Sequence, residues 1–144
     1  MFNVKIKKLS SDAIIPKYAH SGDAGLDLYS TEDKTLNAGE YALIPTGIAI
    51  SIPLGYEAQV RPKSGLSANF GISVLNTPGT VDSNYRGEIK VILINLSKQT
   101  YKVEKGKKIA QMVFNRVEEA VFNEVSELDD TSRGSGGFGS TGLH

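Results

Sequence analysis

Short runs of alternating or β-branched residues, separated by glycine-containing turns, make up most of this chain of 144 residues. Such punctuated short strands predict an all-β sandwich or barrel. The segments predicted as strands are 1–8, 41–52, 56–61, 72–76, 88–96 and 107–117. Pro45 and Gly47 are predicted to break segment 41–52. The segments 37–39 and 104–106 each end in glycine and are predicted to be turns between strands that are neighbours along the chain.

Segment 107–117 fits two periods. Ile109, Val113 and Val117 have helical spacing, whereas Ala110 and Met112 alternate with them as in a strand. We favour a strand that is apolar on both faces, because the segment is short and rich in β-forming residues. The single predicted helix is 64–70, with Ser64 as a possible cap.

The last segment, 126–144, differs in composition from the rest of the chain. It has five glycines and a single aromatic residue, Phe138. Such a segment buries too little apolar surface to offset its ordering entropy, so we expect a mobile arm that follows a barrel domain of residues 1–125. Composition alone favours a simple flexible tail. However, Arg133, the glycine amides and Phe138 could together enclose a phosphorylated heterocycle.

Composition excludes several kinds of chemistry. The chain has no cysteine and two histidines, His20 and His144, which removes disulfides, thiolate zinc sites and a cysteine nucleophile. A Ser-His-Asp relay is close to excluded. The 16 basic and 16 acidic residues give a net charge of zero, so nothing indicates a nucleic-acid partner. Catalysis must therefore rest on carboxylates, hydroxyls, cations, amides or an ion from outside.

We expect a cytoplasmic protein with no membrane partner. The apolar runs are far shorter than the ~20 residues that cross a bilayer. Lysines interrupt segment 1–10, which therefore does not resemble a signal peptide. A chain of this size buries only about two-thirds of its unfolded surface, so burial between subunits would stabilise it.

Single motifs taken alone carry little information. Segment 134–139 matches G-x-G-x-x-G, but no βαβ unit surrounds it, and no Walker loop is present. Taken alone, Asp27 would point to solvent from its strand, and Asp82 would belong to a hairpin turn. His20 is expected in a solvated loop without a role. The lysines expected to be solvated edge and turn charges are Lys7, Lys8, Lys105, Lys107 and Lys108.

Five motifs taken together resemble the trimeric dUTP pyrophosphatase (dUTPase) family in content and order. They are 24–30 (AGLDLYS), 61–68 (RPKSGLSA), 79–89 (GTVDSNYRGEI), 106–114 (GKKIAQMVF) and 133–142 (RGSGGFGSTG). The resemblance implies a jelly-roll-like β-barrel of the β-clip type. It also implies a homotrimer with shared active sites, in which the arm, 126–144, closes over the active site of a neighbouring subunit.

The implied reaction is the hydrolysis of dUTP to dUMP and pyrophosphate, which limits uracil in DNA and supplies dUMP for dTMP synthesis. Asp82 would orient the water that attacks the α-phosphorus, and Tyr85 would exclude a ribose 2′-hydroxyl. Mg²⁺ would arrive with the triphosphate. Asp27 would contact the metal through water or bind an arginine of another subunit. The other substrate-binding residues implied are Lys63, Ser64, Gly65, Asn76, Gly79, Val81, Gln111, Arg133, Phe138, Gly139, Ser140 and Thr141.

These residues have separate implied tasks. Asn76 and the backbone of Gly79 and Val81 would read the uracil edge, and Phe138 would stack on the base. The phosphates would be bound by residues of the second, fourth and fifth motifs, namely Lys63, Ser64, Gly65, Gln111, Arg133, Ser140 and Thr141.

Two positions depart from the family pattern, and two other functions remain as alternatives to dUTP hydrolysis. Lys63 stands where an arginine is usual, which weakens the case for bidentate phosphate binding, and Asn84 stands where an acid is common.

A dCTP deaminase shares the fold but would need a different second motif. A non-catalytic nucleotide-binding or partner-binding trimer would be expected to lose Asp82, Tyr85 and Gln111.

Overall fold

The computed structural model describes residues 1–142 as eleven β-strands and one short α-helix, α1, Ser64–Phe70. The all-β prediction is confirmed. The strands are β1 Lys5–Lys8, β2 Gly25–Tyr29, β3 Lys34–Leu36, β4 Tyr41–Pro45, β5 Ile48–Ser51, β6 Tyr56–Arg61, β7 Ile72–Val74, β8 Gly79–Val81, β9 Lys90–Asn95, β10 Tyr101–Val103 and β11 Lys108–Arg116.

Antiparallel pairing organises these strands into four small sheets. The largest has the order β2-β11-β6-β8, and a second has the order β4-β9-β7. The pairs β1-β5 and β10-β3 complete the described strands. Strand β8 therefore lies at an edge of the largest sheet, with β6 as its only described partner.

The core lies between the sheets and is filled by aliphatic side chains. Alternation explains β6, where Ala58 and Val60 are buried while the residues between them are half-exposed. Strand β11 is instead buried on both faces, since Ile109, Ala110 and Met112 are all at most 2% exposed. This confirms the prediction of a strand that is apolar on both faces.

The predicted elements match the structure with one correction, which concerns the start of the helix. Segment 41–52 is broken as predicted and forms β4 and β5, and Gly47 turns the chain between them with a φ of 69°. The helix 64–70 is confirmed, but its N-cap is Lys63 and no side chain caps it, so capping by Ser64 is wrong. The turns at 37–39 and 104–106 exist, with positive φ at Gly39 and Gly106.

Each of those turns connects two strands that follow one another in the chain but pair with other strands. Strands β3 and β4, which flank the turn at 37–39, pair with β10 and β9 and not with each other. Strands β10 and β11 likewise belong to different sheets. The sequence pattern did not predict β3, β8 or β10, each of which has only three residues.

The chain beyond β11 has neither helix nor strand in the described residues 117–142, and nearly all of them are exposed. Val121, Phe122 and Leu128 present 85% or more of their surface to solvent. The last two residues of the predicted arm, including His144, lie outside the described residues. No helix among residues 1–142 is long and apolar enough to cross a membrane.

Candidate active site

Asp82 lies at the mouth of a surface cleft, directly after the edge strand β8. The cleft has a volume of about 280 Å³, and its walls include Asn76, Val81, Asp82 and Tyr85. The Tyr85 amide donates to the Asp82 carbonyl at 3.1 Å, which is the turn expected at this position. The Asp82 side chain is exposed and accepts no hydrogen bond within residues 1–142. Its carboxylate is thus free to bind a water.

Tyr85 is held from two directions. Its hydroxyl donates to the carbonyl of Glu88 at 3.0 Å. Its ring lies against Gly87, where an added Cβ would overlap the tyrosine hydroxyl and would lie 2.9 Å from Cε2. The side chain is nevertheless 45% exposed, so it remains accessible from the cleft.

The base-recognising residues predicted from the sequence lie around the same edge. Gly79 and Val81 are buried in β8 opposite Val60 and Ala58 of β6. On the far side of β8 no described strand follows, so backbone groups that point away from β6 are open to a ligand. The Asn76 side chain lies next to Gly79, where an added Cβ would be 3.1 Å from Nδ2.

A second group of residues, which we call the sheet cluster, consists of Asp27, Lys63, Lys108 and Gln111. Asp27 is only 8% exposed, and both of its oxygens bind lysines. Oδ1 pairs with Lys63, and Oδ2 pairs with Lys108 at 2.6 Å. The expectation of a solvent-facing Asp27 is therefore wrong, and so is the expectation of a purely solvated Lys108.

A β-bulge explains why the sheet cluster forms. In the pairing of β11 with β2, Lys108 lies opposite Tyr29 and Gln111 lies opposite Asp27, with one extra residue on β11 between Lys108 and Ala110. Because the bulge adds one residue, Lys108 and Gln111 project from the same face although they are three residues apart. That face also carries Asp27.

Gln111 connects the sheet cluster to the start of the helix. Its Nε2 donates to the carbonyl of Pro62 at 2.9 Å, and Arg61 of β6 lies directly opposite it in the sheet. Gly25 leaves room for this amide, since a Cβ there would collide with Oε1 and lie 3.2 Å from the amide carbon. Arg61 adds a third cation to this region.

The lysines control the ionisation of Asp27. Burial alone would raise the pKa of its carboxyl group, but the hydrogen bonds and charges of Lys108 and Lys63 outweigh burial, so the pKa lies below the ordinary value of 3.8. The hydrogen bond to Asp27 and its charge raise the pKa of Lys108. Both groups are therefore charged at neutral pH.

This arrangement predicts a pH-dependent contribution of Asp27 to stability. A carboxylate with a lowered pKa stabilises the folded chain above its unfolded pKa, and the contribution is lost as the pH falls through the folded value. We expect Asp27→Asn to lower the free energy of unfolding by about 1–2 kcal/mol near neutral pH. The difference in Tm from wild type should shrink below about pH 4.

Thermal unfolding of both proteins from acid to neutral pH checks this prediction. Asp12→Asn is the matched control, because Asp12 pairs with Lys105 at an exposed site where an ion pair contributes little. A Tm difference for Asp27→Asn that is as large at pH ~3 as at pH ~7 would show that Asp27 does not act through its charge.

The remaining predicted residues lie at the start of α1 and on the arm. Ser64 and Gly65 are exposed in the first turn of the helix, next to Lys63. On the arm, Arg133 donates to the carbonyl of Gly136 at 2.8 Å, and Phe138 is fully exposed. Gly139, Ser140 and Thr141 are also exposed. The hydrogen bonds of residues 131–142 connect arm residues only with each other.

One chain does not bring these groups together. Asp82 follows Val81, which lies opposite Ala58 of β6, whereas Gln111 of the sheet cluster lies opposite Arg61. Three strand spacings and about four residues of strand length place Asp82 and Asp27 about 20 Å apart along the sheet. None of the described arm residues, 126–142, lines the Asp82 cleft.

Several residues that shape the site escaped the sequence prediction. The pairing of Lys108 with Asp27 was missed because it depends on the bulge. The contact of Glu88 was missed because it depends on a turn that is distant in the sequence. Gly25 and Gly87 leave space for Gln111 and Tyr85. Their positions inside the first and third motifs were the available signal, since glycine beside a functional side chain often permits close approach.

Comparisons with known proteins identify the family. The model of the dUTPase family matches residues 11–142. A relative from Clostridioides difficile, named deoxyuridine 5′-triphosphate nucleotidohydrolase, is 57% identical over 99% of this chain and 100% of its own length. A relative of the same name from Clostridium acetobutylicum is 58% identical over 99% of both chains.

Solved structures similar to this chain are also dUTPases. The Staphylococcus bacteriophage 80alpha dUTPase G164S mutant, solved with dUpNHpp, superposes with a TM-score of 0.92 at 27% identity and covers 99% of this chain and 100% of its own. The D95N dUTPase of phage phi11, described with a structural Mg(II) ion, has a TM-score of 0.83 at 26% identity, with 90% and 100% coverage. The fold and the family match thus define a nucleotide hydrolase of the jelly-roll-like type. The chain belongs to the dUTPase family, and the resemblance of its five motifs is confirmed.

Proposed function

We propose that this chain hydrolyses dUTP to dUMP and pyrophosphate, with Asp82 orienting the attacking water. The observation that carries the proposal is the cleft at the edge of β8, where an unengaged carboxylate, a held tyrosine and an amide side chain share one wall. The names of the relatives support dUTP as the substrate. So does the analogue dUpNHpp in the phage enzyme.

Asp82 is suited to hold a water for in-line attack on the α-phosphorus. An ionised carboxylate accepts a proton from the water and directs a lone pair of its oxygen at the phosphorus opposite the pyrophosphate leaving group. Because the Asp82 side chain is exposed and has no hydrogen-bonding partner within residues 1–142, no existing interaction must break first.

Base and sugar would be selected at the same edge. The Asn76 amide and the open backbone edge of Gly79 and Val81 offer hydrogen bonds to the uracil ring. The ring of Tyr85 would pack on the deoxyribose, where a 2′-hydroxyl would collide with it. Phe138 of the arm would stack on the base.

The triphosphate would bind at the sheet cluster and the start of α1. Lys63, Lys108 and Arg61 against Asp27 give this surface an excess of positive charge, and Ser64, Gly65 and Gln111 add neutral donors. On the arm, Arg133 would reach the γ-phosphate, and Gly139, Ser140 and Thr141 would contribute further donors.

We propose that Mg²⁺ enters as part of the substrate complex. No cluster of three or more metal-ligating side chains occurs within residues 1–142, so phosphate and water oxygens would supply its ligands, as this hard cation prefers. Each Asp27 oxygen binds one lysine but has a second lone pair. A metal-bound water could therefore still donate to Asp27. Bound Mg²⁺ would neutralise charge on the leaving pyrophosphate.

A homotrimer with shared active sites would bring together the Asp82 cleft, the sheet cluster and the arm. The distance of about 20 Å along the sheet between Asp82 and Asp27 supports this, because one chain cannot place both beside one α-phosphate. The exposed apolar residues Val121, Phe122 and Leu128 support contact of the distal chain with another subunit. Residues 1–125 would form the barrel domain, and the arm, 126–144, would close over a neighbouring site.

We also propose that the protein is located in the cytoplasm.

Incubation of the purified protein with dUTP and magnesium tests this function. We expect equimolar dUMP and pyrophosphate. UTP, dTTP and dCTP should compete poorly, because in this proposal Tyr85 rejects the 2′-hydroxyl and the backbone edge of β8 rejects the 5-methyl group and the cytosine amino group. Orthophosphate as product would contradict attack at the α-phosphorus. Ammonia release from dCTP would instead support a deaminase.

A further inference from the structure

Glu88 connects the Asp82 cleft to a turn that lies 41 residues earlier in the chain. Its Oε1 accepts a hydrogen bond from the backbone amide of Gly47 at 2.9 Å, and its own carbonyl accepts the hydroxyl of Tyr85 at 3.0 Å. The side chain of Glu88 is 24% exposed, with Lys90 Nζ 3.7 Å from Oε2. One residue thus contacts both the tyrosine and a separate part of the barrel.

The Gly47 turn is a rigid anchor. Gly47 has a φ of 69°, and an added Cβ would lie 2.9 Å from Ala13 Cβ and 3.0 Å from Thr31 Cγ2. Its carbonyl accepts the amide of Leu9 at 2.7 Å. Because neighbouring segments pack closely around this turn, the Gly47 amide has little freedom to follow a moving partner.

The chain that follows Glu88 is tied to the same turn. The amide of Ile89 donates to the carbonyl of Ile48 at 2.8 Å, and the Thr46 hydroxyl donates to the carbonyl of Ile89. The Glu88 carboxylate adds a third link from the residue next to them. Together these contacts determine where the Glu88 carbonyl, and therefore the Tyr85 hydroxyl, can lie.

We propose that Glu88 is a positioning residue for Tyr85: by anchoring to the Gly47 amide, it holds the tyrosine ring at the angle that separates deoxyribose from ribose. This inference rests on the proposed function, in which Tyr85 packs on the sugar. Glu88 is itself among the residues that line the cleft, and its proposed role is to act through Tyr85. Loss of its carboxylate would remove one of the three links that hold the carbonyl to which Tyr85 is bound, and the ring could then turn away from a 2′-hydroxyl.

The test compares kcat/KM for dUTP and UTP in wild type and five variants, of which Tyr85→Phe is the reference for the double variant. Glu88→Ala should lower the dUTP preference about tenfold, mainly through a higher KM for dUTP and a gain in UTP hydrolysis. Glu88→Gln keeps an oxygen for the Gly47 amide and should stay within about threefold of wild type. Glu88→Asp, one methylene shorter, should fall between them. In a Tyr85→Phe background, Glu88→Ala should add less than about a twofold change, because the shared hydrogen bond is already gone.

The readout separates positioning from general stability. If Glu88→Ala lowers kcat for both nucleotides equally and leaves the preference unchanged, Glu88 is only a structural residue and the inference is overturned. If Glu88→Ala does not fold, Glu88→Asp decides, and an unchanged preference there overturns the inference as well. Wild-type protein that does not hydrolyse dUTP would overturn the proposed function itself, which the first assay of the series reveals.

Discussion

Asp82→Asn should bind dUTP nearly as well as wild type and turn it over about a thousandfold more slowly. Asparagine is isosteric with aspartate but cannot accept a proton from the water or orient it as an anion does. Because the Asp82 side chain is exposed and makes no hydrogen bond within residues 1–142, the substitution should leave folding intact. The substitution should therefore lower kcat, whereas KM and the affinity for a non-hydrolysable analogue should change less than about threefold.

Steady-state kinetics and analogue binding measure the two halves of this prediction. Asp12→Asn is the control, since it removes a carboxylate from an exposed pair with Lys105 that lines no part of the cleft. It should keep wild-type turnover. A kcat for Asp82→Asn near that of wild type would show that another group activates the water.

Truncation after Thr131 should leave a folded protein that hydrolyses dUTP at least about a hundredfold more slowly. The truncation removes Arg133 and Phe138, which are proposed to bind the γ-phosphate and the base. Hydrogen bonds of the described arm residues 131–142 stay within the arm, so the barrel should not depend on them. The Tm should change by no more than a degree or two, because no core contact is lost.

Point variants refine the truncation experiment. Arg133→Ala should raise KM and lower kcat, whereas Arg133→Lys, which keeps the charge but not the planar fork, should recover part of the loss. Phe138→Ala should act mainly on nucleotide affinity. Undiminished activity of the truncated chain would refute the role of the arm as a lid.

The sequence predicted the strands well where alternation or apolar length was strong. Strand β6 agrees to the residue because Ala58 and Val60 alternate with polar neighbours. The break predicted at Pro45 and Gly47 in segment 41–52 is confirmed, since β4 ends at Pro45 and β5 begins at Ile48. The close packing of Ala13 and Thr31 against Gly47 could not be read from the pattern. Three-residue strands such as β8 carry too short a pattern to detect.

For the candidate site, the motifs indicated which residues matter but not how they are arranged. Tyr85 and Asp82 do line one cleft, as the resemblance of the third motif implied. Lys108 could not be placed, because its pairing with Asp27 depends on a bulge that reverses the usual side-chain parity. Burial of Asp27 could not be predicted either, because its two lysine partners come from distant parts of the chain, one from β11 and one from the N-cap position of α1.

The central claim is that Asp82 of one chain and the arm of another act on one substrate, and mixing two defective chains tests it most directly. Asp82→Asn keeps its arm, and the chain truncated after Thr131 keeps Asp82. Unfolded together and reassembled at equal concentrations, they should recover about a quarter of wild-type activity, because random trimers then contain that share of intact sites. Activity no higher than the sum of the separate variants would mean that each site takes Asp82 and the arm from the same chain, which contradicts the claim.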